Sequence, residues 1–103
     1  MSKIKDQIKP SNWMKGYYCN GVDPEVLSFT EEREITRACR KASRCCMVGW
    51  IHRVYPANRR DAIEEKIIEA LEALGFTTNV ARFNDSSETT LREVKKVLQR
   101  ANV

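Results

Sequence analysis

The chain has 103 residues, 42% of them hydrophobic and 31% charged, with a formal net charge of +4. That balance describes one ordinary globular domain and excludes a disordered chain. No run approaches the roughly 18 apolar residues of a membrane span. The opening MSKIKDQIK has no secretory apolar core, so a cytoplasmic protein is expected, whose four cysteines stay reduced.

Residues 1–12 read as a loosely ordered arm on a single domain spanning residues 1–103, with Ile4 and Ile8 at helical spacing and Pro10 as a stop. Tyr17, Tyr18 and Cys19 precede Asn20-Gly21, a dipeptide suited to a type I′ turn, and predict a small β-hairpin. Asp23-Pro24 ends strand pairing, and Val26, Leu27 and Phe29 lead into a central helix over residues 28–54. Ser28 and Glu31 have capping-box spacing at its start. At about 100° per residue, Ile35, Ala38, Cys39, Ala42, Cys45, Cys46 and Gly49 share one face. Arg33, Arg37, Arg40, Lys41 and Arg44 share the other. Gly49 lies where the pattern turns apolar all round, which predicts a close neighbour against its backbone.

Tyr55-Pro56 ends that segment, and Asp61 with Glu64 predicts the start of a second helix. Its stripe is Ile63, Ile67, Ala70, Leu71 and Leu74, with Gly75 as a left-handed stop. Residues 77–83 read as a short strand or extended connector, and residues 84–87 as a turn. Thr90 and Glu93 then cap a third helix striped by Leu91, Val94, Val97, Leu98 and Ala101. The expected fold is mainly α, α+β at most, with three principal helices and a small N-terminal β-hairpin.

The order of short motifs is informative. Trp13-x-x-Gly16, then Ala42-x-x-Cys45-Cys46-x-x-Gly49, then Asn84-Asp85 followed by Thr90-x-x-Glu93-Val94 resembles a family of small proteins of unknown function found in bacteria and their phages. The sequence departs from that pattern at Met47, Trp50 and Phe83. The resemblance spans residues 13–101 and implies a small accessory protein of phage or prophage type, without implying any chemistry.

Candidate chemistry is sparse. Cys39, Cys45, Cys46 and His52 are the only metal-ligand set, and they lack the paired spacing of zinc sites. On a continuous helix His52 stands six or seven positions from Cys45 and Cys46, awkward for a nucleophile and base pair. No catalytic residue, metal or cofactor is therefore expected. Asn84 and Asp85 could hold a ligand or a metal, with a helix start just after them offering N–H groups to an anion, or act as turn formers and caps. Trp13, Tyr17 and Tyr18 could stack on a base or belong to the core.

The arginine face is the unusual feature. Arg33 and Arg37, Arg37 and Lys41, and Arg40 and Arg44 are like-charge pairs at i, i+4, each destabilising by roughly 0.2–0.5 kcal/mol. Either the acidic stretch of residues 61–74 neutralises them, or the face awaits an anion. The leading expectation is a non-enzymatic protein binding a nucleotide or nucleic acid through Arg33, Arg37, Arg40, Lys41 and Arg44, with Asn84 and Asp85. The alternative is an inhibitor or adaptor of a host protein, for example in a defence system.

Overall fold

Amphipathic stripes and caps place most of the chain in helices. The computed structural model describes residues 3–16, 18–21 and 31–103, and among these it has six helices and no strand. They are α1 (Ile4–Gln7), α2 (Glu32–Lys41), α3 (Met47–Val54), α4 (Ala57–Ala73), α5 (Val80–Asp85) and α6 (Leu91–Ala101). The mainly α expectation survives, but the three-helix scheme and the hairpin do not.

The central helix predicted over residues 28–54 is broken. Glu31 is an extended N-cap, α2 ends at Lys41, and α3 starts only at Met47. The break has no glycine or proline to mark it. It is held by tertiary bonds instead: Arg53 Nη1 donates to the carbonyls of Cys39 and Ala42 at 3.2 and 2.7 Å, satisfying the open end of α2. Cys45, inside the break, bridges to Trp13 on one side and Cys19 on the other. Hence, among the described residues, segments 12–14 and 18–20 pair with the connection between α2 and α3 and not with each other as a hairpin. Gly21 has the positive φ expected of a turn, +82°. Tyr17, Asp23-Pro24, the Val26, Leu27 and Phe29 lead-in, and Ser28 lie outside the described residues.

The later helices follow their sequence stripes. Ile63, Ile67, Ala70 and Leu71 of α4 are buried against Val94, Val97 and Leu98 of α6. The start of α4 is earlier than the Asp61 cap predicts, because Pro56, whose missing N–H costs nothing there, serves as N-cap. Gly75 takes φ +93° and the amide of Phe76 returns to the carbonyl of Leu71 at 2.9 Å, the expected stop. Residues 77–83 form no strand: Asn79 accepts from the Arg82 amide at 2.8 Å and starts α5. Thr90 caps α6 by accepting from the Glu93 amide. In the N-terminal arm Ile4 and Ile8 are buried, and the Ile4 amide donates to the carbonyl of Val103 at 2.7 Å.

One side chain gathers these pieces. Asn84 is fully buried and uses all its hydrogen-bonding capacity. Its Oδ1 accepts from Trp13 Nε1 at 2.7 Å and from the Met47 amide at 3.0 Å. Its Nδ2 donates to the Met14 carbonyl at 3.1 Å and to Asp85 Oδ1 at 3.0 Å. Asp85 Oδ1 in turn accepts from the Gly16 amide at 2.8 Å. The N-terminal segment, the start of α3 and the end of α5 are thereby fixed together.

Two stability outcomes follow. A Cβ on Gly49 would stand 1.9 Å from the Tyr18 carbonyl oxygen, which the backbone must move to admit. Gly49→Ala should therefore lower stability by roughly 1–3 kcal/mol in thermal melts, and a variant as stable as the parent would remove Tyr18 from that contact. Asn84→Ala would strand the Trp13 indole N–H, the Met47 amide and the Met14 carbonyl. At about 1–3 kcal/mol for each stranded group, urea unfolding should show a loss above about 3 kcal/mol.

Candidate functional site: a cationic groove between two helices

The arginine stripe of α2 does not face open solvent alone. Arg33, Arg37, Arg40 and Lys41, with Glu32 and Thr36, form one wall of an open groove of about 680 Å³. The opposite wall is the beginning of α4, contributed by Pro56, Ala57 and Arg60. Five cationic residues thus face one carboxylate, that of Glu32.

The α4 wall adds to the positive potential. A 17-residue helix begins there with no side chain capping its first amides and no acidic residue in its first turn. Its unsatisfied N–H groups and macrodipole both favour a negative charge at this end. Instead the first turn holds Arg59 and Arg60. Each is stabilised from elsewhere: Arg59 lies over the Tyr55 ring at 5.4 Å, and Arg60 pairs with Glu32 at 3.1 Å and donates to the carbonyls of Tyr55 and His52.

Neutralisation by the acidic part of α4 is not what the ion pairs show. Among the described residues the salt bridges are Arg33 to Glu31, 3.3 Å, and Arg60 to Glu32. Both carboxylates come from the start of α2, and α4 supplies the groove with an arginine rather than an acid. Arg37, Arg40 and Lys41 are exposed and form no salt bridge among the described residues.

Beneath the groove lies a small polar network. Thr36 Oγ1 donates to the Glu32 carbonyl at 3.0 Å and sits 3.1 Å from His52 Nδ1. His52 is buried, and its ring meets Tyr18 edge-on at 5.5 Å between centroids. Burial, followed by the neighbouring Arg60 charge, holds the imidazole below its ordinary pKa of 6.5, with Glu32 opposing.

The remaining sequence candidates lie apart from the groove. Arg44 is in the break between α2 and α3, exposed, with its amide bonded to Asn20 Oδ1 at 3.0 Å. The helical spacing that grouped it with Arg40 does not exist there. Asn84 has no capacity left for a ligand. Asp85 lines a second, smaller pocket of about 300 Å³ with Gly16, Tyr18, Cys46, Val48 and Ala81. Cys46 is the N-cap of α3, but burial pushes its thiol up to about 11, so it is protonated at neutral pH and a poor nucleophile. Trp13 is committed to Asn84 through its indole N–H. Among the described residues no group of three or more His, Cys, Asp or Glu is arranged to hold a metal ion.

Sequence reading missed the α4 wall. Its signal was present in the consecutive Arg59-Arg60 just after Pro56, a pair that opposes the dipole of any helix starting at that proline.

The His52 environment has a pH consequence. In the unfolded chain His52 takes up its proton near 6.5, while the folded protein refuses it until lower pH, so stability is fully present above 6.5 and declines as pH falls through that window. Melts at pH 7.5 and 5.5 should show the decline, and His52→Gln should reduce the difference between them. An unchanged difference would place the acid sensitivity elsewhere.

No curated protein and no solved structure matches the chain. A family model described as a family of unknown function matches residues 1–102. The resemblance to a domain family of unknown function therefore holds over nearly the whole length, and the chain belongs to DUF6197.

Proposed function

We propose that the protein is a small, non-enzymatic, cytoplasmic binding protein that takes a phosphate-bearing anion, a nucleotide or a stretch of nucleic acid, in the groove between α2 and the start of α4. The observation that carries this reading is the meeting of Arg37, Arg40 and Lys41, unpaired among the described residues, with an uncapped helix N-terminus across one groove. Arginine forks and free amides are the two groups that recognise phosphate oxygens best. The groove lining includes no aromatic side chain, so recognition rests on phosphate and not on stacking with a base. An accessory role in a phage or prophage, as the family resemblance implies, is part of the same proposal.

The reading also relieves an electrostatic cost. Like charges at i, i+4 on α2 and arginines at the positive end of α4 are each mildly unfavourable alone. One bound phosphate group opposes all of them.

The test pairs binding with folding. Arg37→Gln with Arg40→Gln should leave the melting temperature unchanged or slightly higher, since repulsion is removed and neither side chain is buried. Binding to short DNA, RNA or nucleoside triphosphates at low salt should weaken by about 1.5–3 kcal/mol for each lost charge-assisted contact. The slope of log affinity against log salt should fall by roughly one for each lost phosphate contact. Arg44→Gln, outside the groove, should bind like the parent. A parent that binds none of these ligands at low salt would sink the proposal in favour of a protein partner.

A further inference from the structure

Three of the four cysteines meet inside the fold, and the groove uses none of them. Cys19, Cys39 and Cys45 are all buried. The amide of Asn20 donates to the Arg44 carbonyl at 3.1 Å, and the amide of Cys46 donates to the Tyr18 carbonyl at 2.9 Å. These two bonds flank Cys19 and Cys45, which form an antiparallel bridge. Cys19 and Cys45 are thus a non-hydrogen-bonded pair, the register in which opposing Cα atoms approach to about 4.5 Å and both side chains leave on the same side. A disulfide needs Cα atoms roughly 4.4–6.8 Å apart.

Cys39 completes the arrangement from the last turn of α2. It lies beside the bridge, where the Cys45 thiol donates to the Cys39 carbonyl at 3.4 Å. Cys46 is placed differently: its sulfur accepts from the Gly49 amide at 3.4 Å in the α3 cap.

We propose that Cys19 and Cys45 are an oxidisable pair that closes as a disulfide when the folded protein meets a hydroperoxide, tying residues 13–20 to the connection between α2 and α3. Burial raises the Cys19 thiol pKa as it does that of Cys46, but of the three residues Cys19 alone has any solvent exposure, 3% against 0% for Cys39 and Cys45. Its sulfur attacks one oxygen of hydrogen peroxide, the O–O bond breaks, and the hydroxide released takes up the thiol proton as water, leaving a sulfenic acid. The Cys45 sulfur then attacks the Cys19 sulfur, the S–O bond breaks, and the departing hydroxide takes the Cys45 thiol proton to give the second water. Two thiols lose two electrons, and one peroxide is reduced to two waters. This proposal is independent of the anion-binding reading.

The native full chain, treated with dilute hydrogen peroxide, quenched by alkylation and mapped by mass spectrometry without reduction, gives the answer. The expected product is two hydrogens lighter, has Cys19 and Cys45 joined, leaves Cys39 and Cys46 alkylatable, and returns to the parent mass with dithiothreitol. Cys46 is the internal reference, because it is as buried as Cys19. Oxidation that proceeds through global unfolding would consume it alike and scramble the pairing. Links to Cys46, irreversible sulfur acids without a cross-link, or four free thiols after treatment would each overturn the proposal. Cys46→Ala should still form the cross-link, which keeps the test usable should Cys19→Ala or Cys45→Ala fail to fold.

Discussion

The structure depends on Asn84, a neutral amide with every donor and acceptor used in a fully buried site. A buried polar side chain is stabilising only when satisfied, and here satisfaction requires three separate stretches of chain to arrive together. The Trp13 indole, the Met14 carbonyl and the first amide of α3 converge on this one side chain, beside the backbone bridge of Trp13 to Cys45. Residues 13–16 and 18–20 form neither helix nor strand. Side-chain and backbone bonds to the α2–α3 connection and to the end of α5 hold them in place.

The same clasp explains why the central helix breaks. A helix N-terminus needs acceptors for its free amides, and α3 obtains one from Asn84, 37 residues further along the chain, and another from Cys46 Sγ. At the other side of the break Arg53 takes the carbonyls that a continuing helix would have used. Ending α2 at Lys41 separates Arg44 from its stripe and leaves ten residues of helix whose basic edge faces the beginning of α4. The groove is thus a product of the break, and the break is a product of tertiary hydrogen bonds.

Legibility in the sequence follows from that division. Where structure is set by local rules, residues announced it: the α4 and α6 stripes, the Thr90 cap, the left-handed Gly75, and Gly49 against a neighbouring backbone. Residues 42–46, by contrast, read as helix because Ala, Ser, Arg and Cys do not forbid one. The turn-forming Asn20-Gly21 suggested a hairpin, yet Cys19 found its partner in Cys45, and only the fold reveals that pairing. Asn84 and Asp85 were noticed for their type and misread in role. A short polar pair before a helix looks the same on paper whether it faces a ligand or a buried indole. The cationic half of the groove was visible as like charges on α2, whereas its other half is a helix end whose position depended on Pro56 rather than Asp61.

The charge arrangement around α4 bears on whether the groove is complete as it stands. A protein that needed only internal balance could place the acids of α4 at its start, where they would oppose both the dipole and the α2 arginines. In this chain the first turn carries arginines, and the acids Asp61, Glu64, Glu65, Glu69 and Glu72 come after it in the helix. Glu32, the one carboxylate in the groove, is engaged with Arg60 and so offers little to Arg37, Arg40 or Lys41. Solvent screens exposed cations well enough that the fold tolerates this layout. Screening explains the tolerance but gives no reason for placing acids away from the end that favours them. The anion proposed above would supply one, because it would meet the arginine forks and the free amides in the same groove.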